Sequence, residues 1–177
     1  LELGYGGLLE KVRHYRTENA PEHADFYDGL EATLLGLQDW ISRTAEAARA
    51  MAKEEGRPEL RRNLLEMADM NAWLVDSPPR TYREACQWIL WYLIMARMYN
   101  GSGSGGRLDV LLTLYYKRDV AAGILTDEEA EFHAANGLGA PAPFSREAWL
   151  ARVAAPVRES FGEVGRAGAF ATRARAA

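Results

Sequence analysis

The 177-residue chain has one cysteine, Cys86, and so cannot close an internal disulfide. This fits a reducing, cytoplasmic compartment. Its three histidines, His14, His23 and His133, stand far apart, and His133 has a carboxylate, Glu129, four residues before it. Two groups do not complete a metal site, so no metal is expected. A net charge of −4 withholds the basic face that nucleic acid requires. The longest apolar run, residues 86–96, falls short of the roughly 20 residues that span a bilayer, and no membrane association is expected. Residues 1–10 lack the basic start and apolar run of a secretory signal, and the missing initiator methionine suggests a trimmed or fragmentary chain. No Ser/His/Asp or Cys/His arrangement is present, and no lysine follows the one glycine-rich loop in a Walker pattern. Sustained strand alternation is also absent, so the fold class is all-α.

What is there is ordinary globular composition, 48% apolar and 26% charged, in a length that suits one domain with a real core. Leu8, Leu9, Val12 and Tyr15 recur at helical spacing and predict a helix over 5–17. A long helix over 25–55 follows, with Leu30, Leu34, Leu37, Ile41, Ala45, Ala48 and Ala52 in one stripe. The alanines late in that stripe imply close helix-on-helix contact. Gly56 suits a left-handed cap and Pro58 a first turn, predicting a helix over 58–73 with Leu60, Leu64, Met67 and Ala68 on one side.

Thr81 with Glu84 reads as a capping box opening a helix over 81–99. Trp88, Ile89, Trp91, Tyr92, Leu93 and Met95 surround its axis, so it must be covered on most sides and centres the core. Beyond a Gly/Ser loop, 107–122 reads as helix with Leu108, Leu111, Leu112 and Tyr115 inward, and Thr126 with Glu129 caps a last helix over 127–135. From Asn136 the character changes. Residues 136–177 hold six arginines, three glutamates and 12 alanines, with no lysine, aspartate or tyrosine, giving this stretch +3 against −7 for the rest. One helix over 145–161 fits Trp149, Leu150 and Val153, and 162–177 reads as an unpacked tail.

Residues 78–130 carry an ordered set of motifs. Pro78, Arg80, Thr81, Tyr82, Glu84, Ala85 and Gln87 open one helix; Asn100-Gly101 starts the loop; Gly106, Arg107 and Asp109 close it. Tyr115, Tyr116 and Asp119 follow, then Gly123, Leu125, Thr126, Glu129 and Ala130; upstream stand Phe26-Tyr27 with Ala45, Ala48, Arg49 and Ala52. Together these resemble the glycyl radical enzymes, the pyruvate formate-lyase-like family, over about residues 5–133. The resemblance implies that 1–135 is the helical N-terminal portion of that family's α/β barrel, with 136–177 an Ala/Arg-rich tail outside the match. Two motifs that the family's chemistry needs, a cysteine in a central loop and a C-terminal glycine that stores the radical, are not in this sequence. Cys86 instead falls where the family has a packing residue.

The expectation is therefore a fragment of a radical C–C, C–O or C–N lyase or dehydratase, or of a formate acetyltransferase, inactive by itself. No catalytic residue and no cofactor is assigned to it. In the intact family the glycyl radical is installed by an S-adenosylmethionine activase, and a small-molecule substrate is bound only there. Self-association through exposed apolar surface is expected of such a fragment. The alternative is a stand-alone helical interaction module derived from the family, whose surface would have been remade polar.

Within the loop Asn100, Ser102 and Ser104 are the substrate-binding candidates. The glycines allow a ligand close to backbone N–H groups, the hydroxyls donate or accept, and in dehydratase-like members the corresponding loop lines the substrate cavity. That loop often carries His-Ser where this sequence has Ser102-Gly103, and a plain connection between helices is the competing reading. Arg107 and Asp109 read as fixing the turn, Tyr115 and Tyr116 as packing residues with bonded hydroxyls, and Glu128, Glu129 and Glu131 as a solvated face plus cap.

Overall fold

The computed structural model describes residues 1–19, 22–100 and 108–137, and among these every regular element is a helix. They are α1 (Gly4–Asn19), α2 (Ala24–Glu54), α3 (Pro58–Leu74), α4 (Tyr82–Asn100), α5 (Leu108–Ala121) and α6 (Asp127–Gly137). Every boundary lies within two residues of the span that periodicity predicts. The helix expected over 145–161 falls outside the described residues. Leu1–Ala130 form one compact unit, which holds the core, and Glu131–Ala177 a second.

Small side chains set the closest contact. Ala45, Ala48 and Ala52 of α2 and Ala68 of α3 are all buried, and these two helices form the most extensive pairing in the fold. Without branched side chains between them the backbones approach closely and dispersion contacts are dense. The stripe of α2 is shorter than its sequence suggests: Leu37 and Ile41 are buried, whereas Leu30 is exposed. There α2 faces the polar half of α1, through Arg13 to Glu31 at 2.8 Å and Arg16 to Asp28 at 2.6 Å, so charge pairs replace apolar contact. For the same reason Tyr15 of α1 is exposed, while Tyr5 and Leu9, nearer the core, are buried. Leu111, expected inward on α5, is exposed as well, and Leu112 takes the core position.

The stop between α2 and α3 also departs from expectation. Gly56 does not adopt positive φ; Glu55 ends α2 in an extended conformation, φ −76° and ψ 117°, and its carboxylate accepts the Arg57 N–H at 2.9 Å and the guanidinium at 2.9 Å. Those hydrogen bonds hold the Glu55 carboxyl at about 2. Pro58 opens α3 as expected. Gly123 supplies the left-handed cap elsewhere: at φ 69° it closes α5, with the Ile124 N–H donating to the Asp119 carbonyl at 2.9 Å, and Leu125 enters the core behind it.

α4 is the centre of the core. Tyr82, Ala85, Cys86, Trp88, Ile89, Trp91 and Leu93 are buried, and only Tyr92 of the expected apolar girdle is exposed. Trp88 stacks on Tyr5 with ring centroids 4.6 Å apart, and the Tyr5 hydroxyl donates to the Trp88 carbonyl at 2.9 Å. Trp91 meets Trp40 edge-on at 5.4 Å and donates its indole N–H to Asn71 at 2.8 Å. Asn71 in turn donates to the Met67 carbonyl at 2.8 Å, so a buried amide is satisfied on both sides. Gln38 likewise donates to the Val75 carbonyl at 3.0 Å and to Asp76 Oδ1 at 2.7 Å, tying α2 to the end of α3.

The turn at Asp76 also receives α1. Its carbonyl accepts the Gly6 N–H at 2.9 Å, and Gly4 sits against Asp76 to Pro78 with φ 63°. A Cβ on Gly4 would lie 2.5 Å from the Ser77 carbonyl carbon and 2.6 Å from Pro78 N, so neither backbone angle nor space admits one. Gly4→Ala is expected to destabilise the fold by roughly 1–3 kcal/mol from strain alone, more with the clash. Gly29→Ala, in α2 with nothing within 4 Å, should instead stabilise it by about 0.5–1 kcal/mol. Urea melts of the two variants check the contrast; equal effects would remove the assigned role of the α1 entry.

Candidate functional site

A helix start leaves backbone N–H groups without partners, and α4 meets this need in an unusual way. The Thr81 hydroxyl accepts the Glu84 N–H at 3.2 Å, which is half of the expected capping box. The other half is displaced by one residue: the buried Glu84 carboxylate takes the Arg80 N–H at 2.6 Å and the Arg80 guanidinium at 2.6 Å. The N–H of Tyr82 is then capped from α5, donating to Asp119 Oδ2 at 2.6 Å across 37 residues of sequence. Arg118 donates from Nε to Asp119 Oδ1 at 2.8 Å and from its terminal nitrogen to the Arg80 carbonyl. Arg80 also covers the Trp73 ring at 4.1 Å.

Two buried carboxylates thus each have a guanidinium and a backbone N–H. Such charge-assisted bonds near a helix N-terminus complement its dipole as well as its open donors. The Thr126–Glu129 box, by contrast, forms as expected, with N–H to carboxylate at 2.9 Å and N–H to hydroxyl at 3.2 Å.

Beside this cluster the start of α1, the α3–α4 connection, α4 and α5 enclose a cleft of about 680 Å³. Leu3, Pro79, Trp88, Val110, Leu111 and Leu114 give it an apolar lining, and Tyr115 and Arg118 close one side. Arg118 lies over the Tyr115 ring at 5.2 Å, so its charge is engaged by an aromatic face and by Asp119. The cleft can take apolar groups, and Glu2, Tyr115 and Arg118 are the charged or polar side chains in its lining.

Of the substrate-binding candidates, Asn100 is the last residue of α4, and its side chain lies outside the described residues; so do Ser102, Ser104 and Arg107. The structure does bring together the motif residues on either side of them. Tyr116 donates to Asp127 at 2.5 Å, and the Asp109 carbonyl accepts the Thr113 hydroxyl. His14 is 3.3 Å from Glu18, His23 precedes α2 and His133 stacks edge-on with Phe132. Among the described residues no group of three His, Cys, Asp or Glu could hold a metal ion, and no helix is long and apolar enough to cross a membrane. Sequence reasoning missed Gln38, Asn71 and the capping role of Asp119. Only Asp119 carried any signal, as a member of the Tyr-Tyr-x-x-Asp motif, and nothing local named its partner.

Asp119→Ala leaves a buried N–H and one guanidinium without their acceptor, and is expected to lower stability by roughly 2–4 kcal/mol. Asp119→Asn keeps an acceptor and should cost less than half of that, as read from denaturant midpoints. Burial pushes the Cys86 thiol up to about 12, against a hydrogen bond with Tyr82 that draws it down. The thiolate is the reactive form, so Cys86 is expected to resist alkylation at pH 8 in the folded chain and to react once it unfolds. Because the folded thiol holds its proton more tightly, the stability it contributes is complete below about 9 and falls as pH rises toward 12. Alkylation of the native chain at the unfolded rate would refute this.

Residues 1–135 match the family model described as pyruvate formate lyase-like. Isethionate sulfite-lyase of Nitratidesulfovibrio vulgaris is 33% identical over 128 residues, which are 69% of this chain and 16% of that enzyme. The glycyl radical subunit of 4-hydroxyphenylacetate decarboxylase from Clostridioides difficile strain 630 is 28% identical over 142 residues, 73% of this chain and 16% of that protein. A solved structure concerned with 1,2-propanediol dehydration in Roseburia inulinivorans superimposes with a TM-score of 0.70 at 24% identity, over 78% of this chain and 18% of that one. The chain therefore spans about one sixth of the length of the curated relatives it matches. With the family's motifs meeting around the α4 N-terminus and the match running over 1–135, the chain belongs to the pyruvate formate lyase-like family of glycyl radical enzymes.

Proposed function

We propose that this chain supplies the helical N-terminal region of a glycyl radical enzyme, of the radical C–C, C–O or C–N lyase or dehydratase type or the formate acetyltransferase type. The family match over residues 1–135 carries the reading, and relatives named as a lyase and as a decarboxylase support its reaction class. In this view the described helices form a scaffold, and the chemistry belongs to sequence beyond these 177 residues. The only cysteine is buried with its thiol protonated, which suits packing and not hydrogen abstraction. The glycyl radical, installed by an S-adenosylmethionine activase, would reside on a glycine that this sequence does not contain.

The cytoplasm is its proposed compartment, a small molecule the substrate of the intact enzyme, and residues 136–177 stand apart from the family region. Asn100, Ser102 and Ser104 are proposed to line the substrate cavity there. The buried cap makes this reasonable, because it fixes the two helices whose ends lead into that segment.

Incubated anaerobically with a family activase, S-adenosylmethionine and a reductant, the purified chain is expected to show no glycyl radical signal in electron paramagnetic resonance. A radical doublet or any turnover would overturn the scaffold reading. Within an intact enzyme carrying this region, Ser102→Ala and Ser104→Ala should lower turnover with radical yield unchanged; normal turnover in both would leave the segment a connecting role.

A further inference from the structure

Trp88 is buried, and among the described residues its indole N–H is the one buried side-chain polar group without a hydrogen-bond partner. Such orphans are rare in a packed interior, and an indole nitrogen can only donate. Two phenol rings lie almost parallel to this indole. Tyr5 is 4.6 Å away between centroids with 13° between planes, and Tyr92, one turn further along α4, is 6.3 Å away with 6°. Rings at these separations are in contact, close enough for an electron to pass between π-systems. The set runs from the interior to the surface, since Tyr5 is 1% exposed and Tyr92 44%.

Indole and phenol rings both give up one electron readily, and the charge left behind settles where a proton can be lost. The three rings differ in this respect. The Trp88 N–H meets no acceptor, so an oxidised Trp88 keeps its proton and remains a strong oxidant. The Tyr5 hydroxyl donates to the Trp88 carbonyl at 2.9 Å, but an amide oxygen is too weak a base to take the proton, and burial pushes the Tyr5 pKa up. Tyr92 adjoins water, which accepts a proton freely. Trp88 also lines the cleft beside α1 and α5, which gives a small radical access to its edge.

We propose that Trp88 and Tyr92 form a relay that carries an oxidising equivalent from the core to the surface, with Tyr5 holding the indole in place, and that Tyr92 is the residue modified. A one-electron radical oxidant, of the azidyl or carbonate-radical class, takes an electron from Trp88 and leaves as its reduced anion. An electron then passes from Tyr92 to Trp88, the Tyr92 hydroxyl proton goes to water, and Trp88 returns to its starting state. The phenoxyl radicals of two chains couple through ring carbons. A C–C bond forms, the hydrogen on each joined carbon moves to the oxygen of its ring, and the product is a dityrosine. The relay is independent of the scaffold reading, because it uses none of the family's chemistry.

Azidyl radicals generated by pulse radiolysis in azide solution test this on the full chain. Transient absorption follows the indole and phenoxyl radicals, and peptide mapping locates the dityrosine. The indole signal is expected to decay as phenoxyl grows, at a rate independent of chain concentration, and the cross-linked peptides to contain Tyr92. Tyr92→Phe, a change at a partly exposed ring, should abolish that cross-link and the delayed phenoxyl growth. Tyr5→Phe keeps the stacked ring and should leave both unaltered. Trp88→Phe, checked for folding by circular dichroism, should lose the delayed growth and most of the Tyr92 cross-link, leaving only prompt phenoxyl from direct attack. Cross-linking at Tyr92 undiminished in Trp88→Phe would mean direct oxidation and overturn the relay. Delayed phenoxyl growth that survives Tyr92→Phe, or disappears in Tyr5→Phe, overturns it as well.

Discussion

The carboxylate of Asp119 accepts the N–H of Tyr82, and most of the described arrangement follows from that bond. It closes the first turn of the most apolar of the described helices and holds the last turn of α5 beside it. Because Arg118 adds the Arg80 carbonyl to the same cluster, the connection from α3 is fixed at the same point. Pro79, which lines the cleft, is thereby held between Trp73 and the cap, through the Trp73 indole bonded to the Pro78 carbonyl at 2.8 Å. A buried charge is destabilising unless its partners are in place. A shift of α4 against α5 by one residue would therefore strand Asp119, which is how one side chain sets the register of two helices.

The helices were legible in the sequence because each carries its own periodicity and stop signals, as at Pro58 and at the Thr126–Glu129 box. The motif residues around the cap were legible too, but only as a pattern. That Asp119 reaches Tyr82 depends on where two helices cross, a property of the whole core that no local window contains. Leu30, Tyr15 and Leu111 failed for one shared reason: periodicity identifies an apolar stripe but not how much of it a neighbour covers. α1 offers arginines to the first turns of α2, and nothing described covers the outer side of α5. Gly56 illustrates a different limit, since a salt-bridged extended turn and a left-handed glycine end a helix equally well. Of the candidate site, the flanking motif residues could be placed, whereas Ser102 and Ser104 lie outside the described residues.

The interior also shows how a mostly apolar core accommodates polar groups. Gln38 and Asn71 are each placed where a backbone carbonyl and a second polar atom lie within reach, and each joins two helices. Wrong packing would leave these amides without partners, so they favour one arrangement over its near alternatives. The Ala-lined contact of α2 with α3 is tolerant in chemistry but strict in distance. Amides and alanines thus specify the bundle in complementary ways.

The bond from the Tyr5 hydroxyl to the Trp88 carbonyl spans 83 residues, and the cap on Tyr82 waits for Asp119. During synthesis α1 therefore has no partner on α4 until that helix has emerged, and α4 has no cap until Asp119, 37 residues after Tyr82, has been added. At about 5–20 residues per second the tryptophan-rich helix remains uncovered for a few seconds. The indoles of α4 thus go without their partners over a defined stretch of translation, opened when that helix emerges and closed by the arrival of one aspartate.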